Sequence, residues 1–409
     1  MLVSQRSRRF LAAFCLVHAC LVESSVAPAL AQSNPSPLSA LPDVPSSPPV
    51  NTLPGMPLVV DPGNLYSEAA ANRFSPVVRH ALSRVYVPNV RSNDVYVIDP
   101  WTLRVVDRFR VGRNPQHIVP SWDLKTLWVA SSAKGRSIRG GSLTPIDPTT
   151  GRPGKIRPVD DAYNMYFLPD GSAAMVVAEA LKQIDFRDPQ TMELQSSLPV
   201  PQCAGLNHAD FSIDGRYAIF TCEFHGGGLV KIDIVNRSVV GFLKLSRPGM
   251  PQDIRISPDG KAFYVADMMS DGVVVVDGDS FTEIGFIPTG VGAHGLYPSR
   301  DGTKLYVSNR GSHMAYARPR GAGSIAVIDF ATRKVEVTWP IPGGGSPDMG
   351  NVSADGKQLW LSGRFDNVVY VIDTSTGAVK SIPVGRVPHG LTVWPQPGRY
   401  SLGHTGNMR

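Results

Sequence analysis

Cysteine is scarce in this chain: there are four in 409 residues, and two of them, Cys15 and Cys20, fall within the first 31. That excludes a small scaffold built on disulfides. Charge is thin as well, with only 18% Asp, Glu, Lys and Arg. Of the formal +6, three arginines and one glutamate lie in the first 31 residues, which leaves +4 scattered along the rest. Such a balance gives nucleic acid no footing. No C-x-x-C-H, Gly-rich phosphate loop, G-x-S-x-G or H-E-x-x-H is present. Covalent haem c, phosphate-loop nucleotide chemistry and the corresponding hydrolases therefore have no residues to carry them. Beyond residue 31 no apolar run reaches the length that spans a bilayer, so no transmembrane segment is expected in the mature chain.

What the chain has in quantity is Gly (39) and Pro (36), turn formers that favour many short strands over helices. The first 31 residues combine Arg6, Arg8 and Arg9, the apolar stretch "FLAAFCLVHACLV" and the small-residue end "APALAQ". This predicts a secretory signal over 1–31 and a periplasmic or secreted protein. "SRRFLAAF" is similar to a twin-arginine export signal, with one residue missing between the Arg pair and Phe-Leu. Residues 32–75 are rich in Pro and Ser and are expected to be a flexible linker, leaving 76–409 as the folded body.

From residue 84 one pattern returns. A short apolar run leads to a turn such as "SPDG" (257), then a strand such as "FYVAD", a loop, a strand such as "VVVVD", and a last strand. The residues at the mouths of the first strands are His117, Asn164, His208, Asp253, His294, Asp348 and His389, at intervals of 47, 44, 45, 41, 54 and 41. A four-stranded unit at this period reads as a β-propeller blade, which must stack on its neighbours to bury both faces. Residues 84–112 supply three strands without a first strand, and "HGLTVWP" at 389–395 supplies the missing one. The expected fold is all-β, a seven-bladed β-propeller closed by the N-terminal strands pairing with a C-terminal first strand.

"RVYVPNVRSNDVYVIDPWTLRVVDRFRVGRNPQH" and "KLYVSN…SIAVIDFATRKVEVTWPI" carry a resemblance: this chain is similar to the YVTN-type β-propeller repeat family over nearly all of 84–395. The resemblance implies the architecture and says little about chemistry, because propellers of this kind include surface proteins, binding proteins, lyases and oxidoreductase subunits. The stretch "MVVAEALKQIDF" departs most from the repeat.

In a propeller the first strands line the channel, so the seven mouth residues are expected to ring its opening. The loops on that face add His225, Arg310 and His313, the last within the long insertion "RGSHMAYARPRGAGS". Imidazoles and carboxylates converging on one axis suit a copper, iron or zinc ion, with His117, His208, His294 and His389 as ligands. The same ring also suits a small ligand, a cofactor or a periplasmic partner protein, or serves only to hydrogen-bond neighbouring blades. Whether an enzyme, most plausibly a copper or iron oxidoreductase, a binding module or a structural envelope protein results is left open by the residues. Cys203 and Cys222 lie on the same face. In an oxidising compartment they most simply form a disulfide; the alternative is a reduced pair sharing a soft metal with His208 and His225.

Overall fold

The computed structural model describes residues 48–132, 139–314 and 322–409. The expected signal peptide, residues 32–47 of the expected linker and residues 315–321 of the insertion lie outside the described residues.

The turn motif explains how the repeat folds. In "SIDG" the Ser212 hydroxyl donates to Asp214 at 2.6 Å, accepts from the Tyr217 backbone N–H at 3.1 Å, and Gly215 takes a positive φ of +75°. A hairpin closed this way sets the register of the two strands it joins. The same Ser–Asp contact recurs at Ser257–Asp259, Ser299–Asp301 and Ser353–Asp355.

Among the described residues, seven antiparallel sheets of four strands result. Six of them run from an inner strand outward in chain order: Pro115–Pro120, Ala162–Phe167, Leu206–Phe211, Pro251–Ile256, Ala293–Pro298 and Pro347–Val352 are the inner strands. The seventh sheet places Thr392–Trp394 beside Arg84–Asn89, followed by Asp94–Asp99 and Arg104–Arg110, so both ends of the repeat region share one blade. The divergent "MVVAEALKQIDF" still supplies two ordinary strands, Ala174–Ala178 and Gln183–Arg187.

Burial falls from the channel outward. The Leu206–Phe211 strand is buried throughout, whereas the outer Arg104–Arg110 strand is almost wholly exposed. Valines and isoleucines of the middle strands pack between adjacent sheets, each contributing about 1.5–3 kcal/mol by leaving water.

Residues 53–82, which run from the expected linker into the expected folded body, form a belt along the turn-bearing rim. Leu53 N–H donates to Asp214, Leu65 N–H to Pro258, Asn72 N–H to Ala354 and Leu82 N–H to Pro148. Leu53, Met56, Leu65 and Tyr66 are buried, and the Tyr66 hydroxyl donates to the Ile256 carbonyl at 2.7 Å.

The C-terminal segment 399–409 enters the channel from that same rim. Phe167 N–H donates to Leu402 O and His404 N–H to Met165 O, while Arg409 reaches Asp210 at 2.8 Å. Gly403 adopts φ +98° with the Tyr166 backbone against it, a place that admits no Cβ.

Candidate functional site in the channel

Six of the seven ring positions sit on a backbone irregularity. The ladder between inner and second strand slips at Pro115/His117, Ala162/Asn164, Leu206/Ala209, Pro251/Ile254, Ala293/Gly295 and Pro347/Gly350. An extra residue in one strand re-aims its side chain and leaves it unpaired with the neighbour. This is why a His, Asn or Asp at that spot is sent into the channel rather than between sheets.

The seven predicted mouth residues are all buried, none more than 1% exposed. They do not stand apart around a wide opening but fill the channel. The His117 ring lies 4.7 Å from His389, 5.1 Å from His208 and 5.3 Å from His404, centroid to centroid, and His208 and His404 are 4.5 Å apart. His404 was not among the residues the sequence singled out as ligands. The tail "RYSLGHTGNMR" has no strand periodicity that would assign it a place.

Two subclusters differ in how well they are satisfied. At one end Asp348 gathers two arginines and two histidines: Arg310 at 2.5 Å, His389 at 2.6 Å, His294 at 3.2 Å and Arg364 at 3.3 Å. Burial alone would raise the Asp348 carboxyl, but Arg310, His294, His389 and Arg364 together hold it well below the usual carboxylate range. Arg310 also contacts His294 Nε2, and His294 Nδ1 faces Asp348 Oδ1 at 3.2 Å without a hydrogen bond.

At the other end His208, Asp253 and His404 bring a nitrogen or oxygen each to within 4.8 Å of one another. His404 Nε2 lies 3.3 Å from Asp253 Oδ1, and Asp253 also holds Arg255 at 2.9 Å. Among the described residues, both ring nitrogens of His117, Nδ1 of His294 and the Nε2 atoms of His208, His389 and His404 form no hydrogen bond. Buried polar atoms are almost always paired, so such a concentration calls for an explanation.

Burial is the main force on the imidazoles. It pushes His117, His208 and His294 well below the ordinary histidine value, lowers His404, and takes His389 down to about 3. All five rings are therefore neutral at physiological pH, the form in which a ring nitrogen offers a lone pair.

Other predicted site residues fall elsewhere. His225 is exposed on a left-handed turn, φ +59°, outside the channel. His313 is half-exposed and pairs with Asp271 at 2.7 Å. Arg310 is inside, as a partner of Asp348. Cys203 and Cys222 form a disulfide and are buried, so the alternative of a reduced pair binding a metal does not describe this structure. A groove of about 650 Å³ between Trp101, Trp360 and Trp394 includes none of the channel histidines. Among the described residues no helix is long and apolar enough to cross a membrane.

Comparison with known proteins places this geometry. Antigen Lp49 of Leptospira interrogans is 28% identical over 192 residues, covering 40% of this chain and 38% of that protein, so the chain spans well under half the length of this relative. The periplasmic gluconolactonase of Pseudomonas aeruginosa is 19% identical and superposes with a TM-score of 0.59, covering 75% of this chain and 98% of the other. The dihydro-heme d1 dehydrogenase NirN is 16% identical with a TM-score of 0.56, covering 76% and 75%. These likenesses show the fold. The model of the YNCE-like beta-propellers matches residues 50–397, belt and all seven blades included, and the chain belongs to that family.

Proposed function

We propose that this protein is an envelope or secreted propeller that binds one transition-metal ion inside its channel, held by His208, His404 and Asp253 with His117 as the fourth ligand. The observation that carries the reading is the set of buried imidazole nitrogens without hydrogen-bond partners, drawn from four different parts of the chain. For an ion about 2.0–2.1 Å from each nitrogen in a tetrahedral arrangement, ring centroids stand about 5 Å apart. The spacings among His117, His208 and His404 are 4.5, 5.1 and 5.3 Å. Neutral imidazoles with a carboxylate suit copper, zinc or iron(II).

A channel packed with side chains favours an ion over an organic ligand. His294 drops out of the proposed ligand set because Arg310 holds its Nε2 and its Nδ1 faces Asp348, and His404 takes its place. Export rests on the N-terminal segment 1–31 and agrees with the periplasmic location in the name of the Pseudomonas relative.

The experiment is elemental analysis by mass spectrometry of protein purified from its native compartment, beside the His117→Ala/His404→Ala variant. Close to one equivalent of copper, zinc or iron in the first and none in the second is the expected result. Protein that is empty and stays empty after incubation with each metal overturns the reading and leaves the channel as a polar core.

A further inference from the structure

The unpartnered nitrogens are not equivalent, and the difference traces to one amide. Asn164 Oδ1 accepts the Met165 backbone N–H at 2.8 Å, so turning the side chain over would set two donors against each other. Its Nδ2 consequently faces His208 Nδ1 at 3.0 Å and His404 Nδ1 at 3.1 Å. The Tyr166 hydroxyl, 3.3 Å away, is a third and longer contact; with the two amide hydrogens given to the two shorter contacts, both Nδ1 atoms act as acceptors. A neutral imidazole carries one proton, and in both rings it is left on Nε2. In His404 that N–H faces Asp253; in His208 it meets no partner. His389 is the reverse, because Asp348 engages its Nδ1–H and leaves Nε2 bare.

Resting on the metal reading, we infer that Asn164 is a positioning residue that weakens the channel's hold on its ion by keeping His208 and His404 in the wrong tautomer. An ion entering between the rings needs the Nε2 lone pairs. Each ring must then carry its proton on Nδ1, where Asn164 presents an N–H instead of an acceptor. Metal-binding histidines ordinarily have a carboxylate or carbonyl behind the second nitrogen, and losing that partner costs about 10–100-fold in affinity. Asp348 is such a partner for His389; Asn164 is the opposite for two rings at once. The site is thereby tuned to take up and release its ion, as a carrier or sensor does, and not to keep it permanently.

The test compares the full mature chain with Asn164→Asp and Asn164→Ala, using cobalt(II) and zinc as probes. Asn164→Asp supplies an acceptor to both Nδ1 atoms and is expected to tighten binding at least tenfold. Asn164→Ala removes the opposing donors and guards against a folding failure of the aspartate variant; it is expected to tighten binding by a smaller factor. The 15N–1H imidazole spectrum of the unsubstituted, metal-free protein should show His208 and His404 protonated at Nε2. A purely structural Asn164 would leave affinity unchanged or lowered in both variants, and that result, or Nδ1–H tautomers in the spectrum, overturns the inference while the metal reading stands. If neither the unsubstituted chain nor either variant binds metal, the metal reading itself has failed.

Discussion

His389 Nδ1 lies 2.6 Å from Asp348 Oδ2, and the contact joins two neighbouring ring positions: Asp348 lies in the inner strand Pro347–Val352, and His389 stands just before the three-residue strand that completes the last sheet. Asp348 also neutralises Arg310 and Arg364 inside the channel. Replacing it with Asn leaves two buried guanidiniums without a countercharge, a kind of loss that costs about 3–5 kcal/mol. Urea unfolding of Asp348→Asn is expected to show a lowered midpoint of that order, with the slope unchanged.

Acid should destabilise the metal-free protein earlier than its carboxylates alone would. The unfolded chain protonates its histidines near 6.5, but burial keeps the native rings neutral far below that, to about 3 for His389. Between those values the unfolded state binds more protons, so stability falls as pH drops. Each such imidazole contributes up to about 1.4 kcal/mol per pH unit. Asp348, depressed below 3.8, adds to the loss in the same direction at the acid end. Thermal midpoints measured from pH 8 to pH 4 should decline from about pH 6.5 downward, and less steeply in His117→Asn.

His294→Ala and His404→Ala should separate structure from binding. His294 is tied to Arg310 and Asp348, so its loss is expected to lower stability while metal content persists. His404 offers an unpartnered Nε2, so its loss is expected to lower metal affinity by tenfold or more. Parallel melting curves and metal titrations read both effects.

Gly403→Ala probes the docking of the tail. The added methyl meets the Tyr166 backbone at a φ that L residues rarely adopt. A destabilisation of about 2–3 kcal/mol is expected from the two terms together, with increased proteolysis near residues 399–409 as the diagnostic.

The blade count and the ring position were legible because both are written locally. The Ser–x–Asp–Gly turn satisfies its own backbone within five residues, and His208, Asp253, His294 and Asp348 lie four or five residues before it. The belt was not legible. Leu53, Met56, Leu65 and Tyr66 are spaced irregularly, since each fits a different blade instead of one face of a helix or strand. The place of His404 was hidden for a similar reason. Its partner Asn164 is 240 residues away, and no short-range signal records such a contact. Why His294 is unavailable to an ion depends on Arg310 and Asp348 meeting it together, which spacing alone does not reveal.

The blade shared by both ends of the repeat region is fastened by a seam of only three residues, Thr392–Trp394, yet that seam does not stand alone. Phe74 of the belt bridges to Gly398, His117 bridges to Gly390, and the Thr392 hydroxyl bonds to Ile118 O. The clasp is thus laced from below and from the neighbouring blade. Pried apart mechanically, such a ring has no loose end from which blades can peel one after another. It should resist until belt, clasp and tail give way together, and then open in a single event.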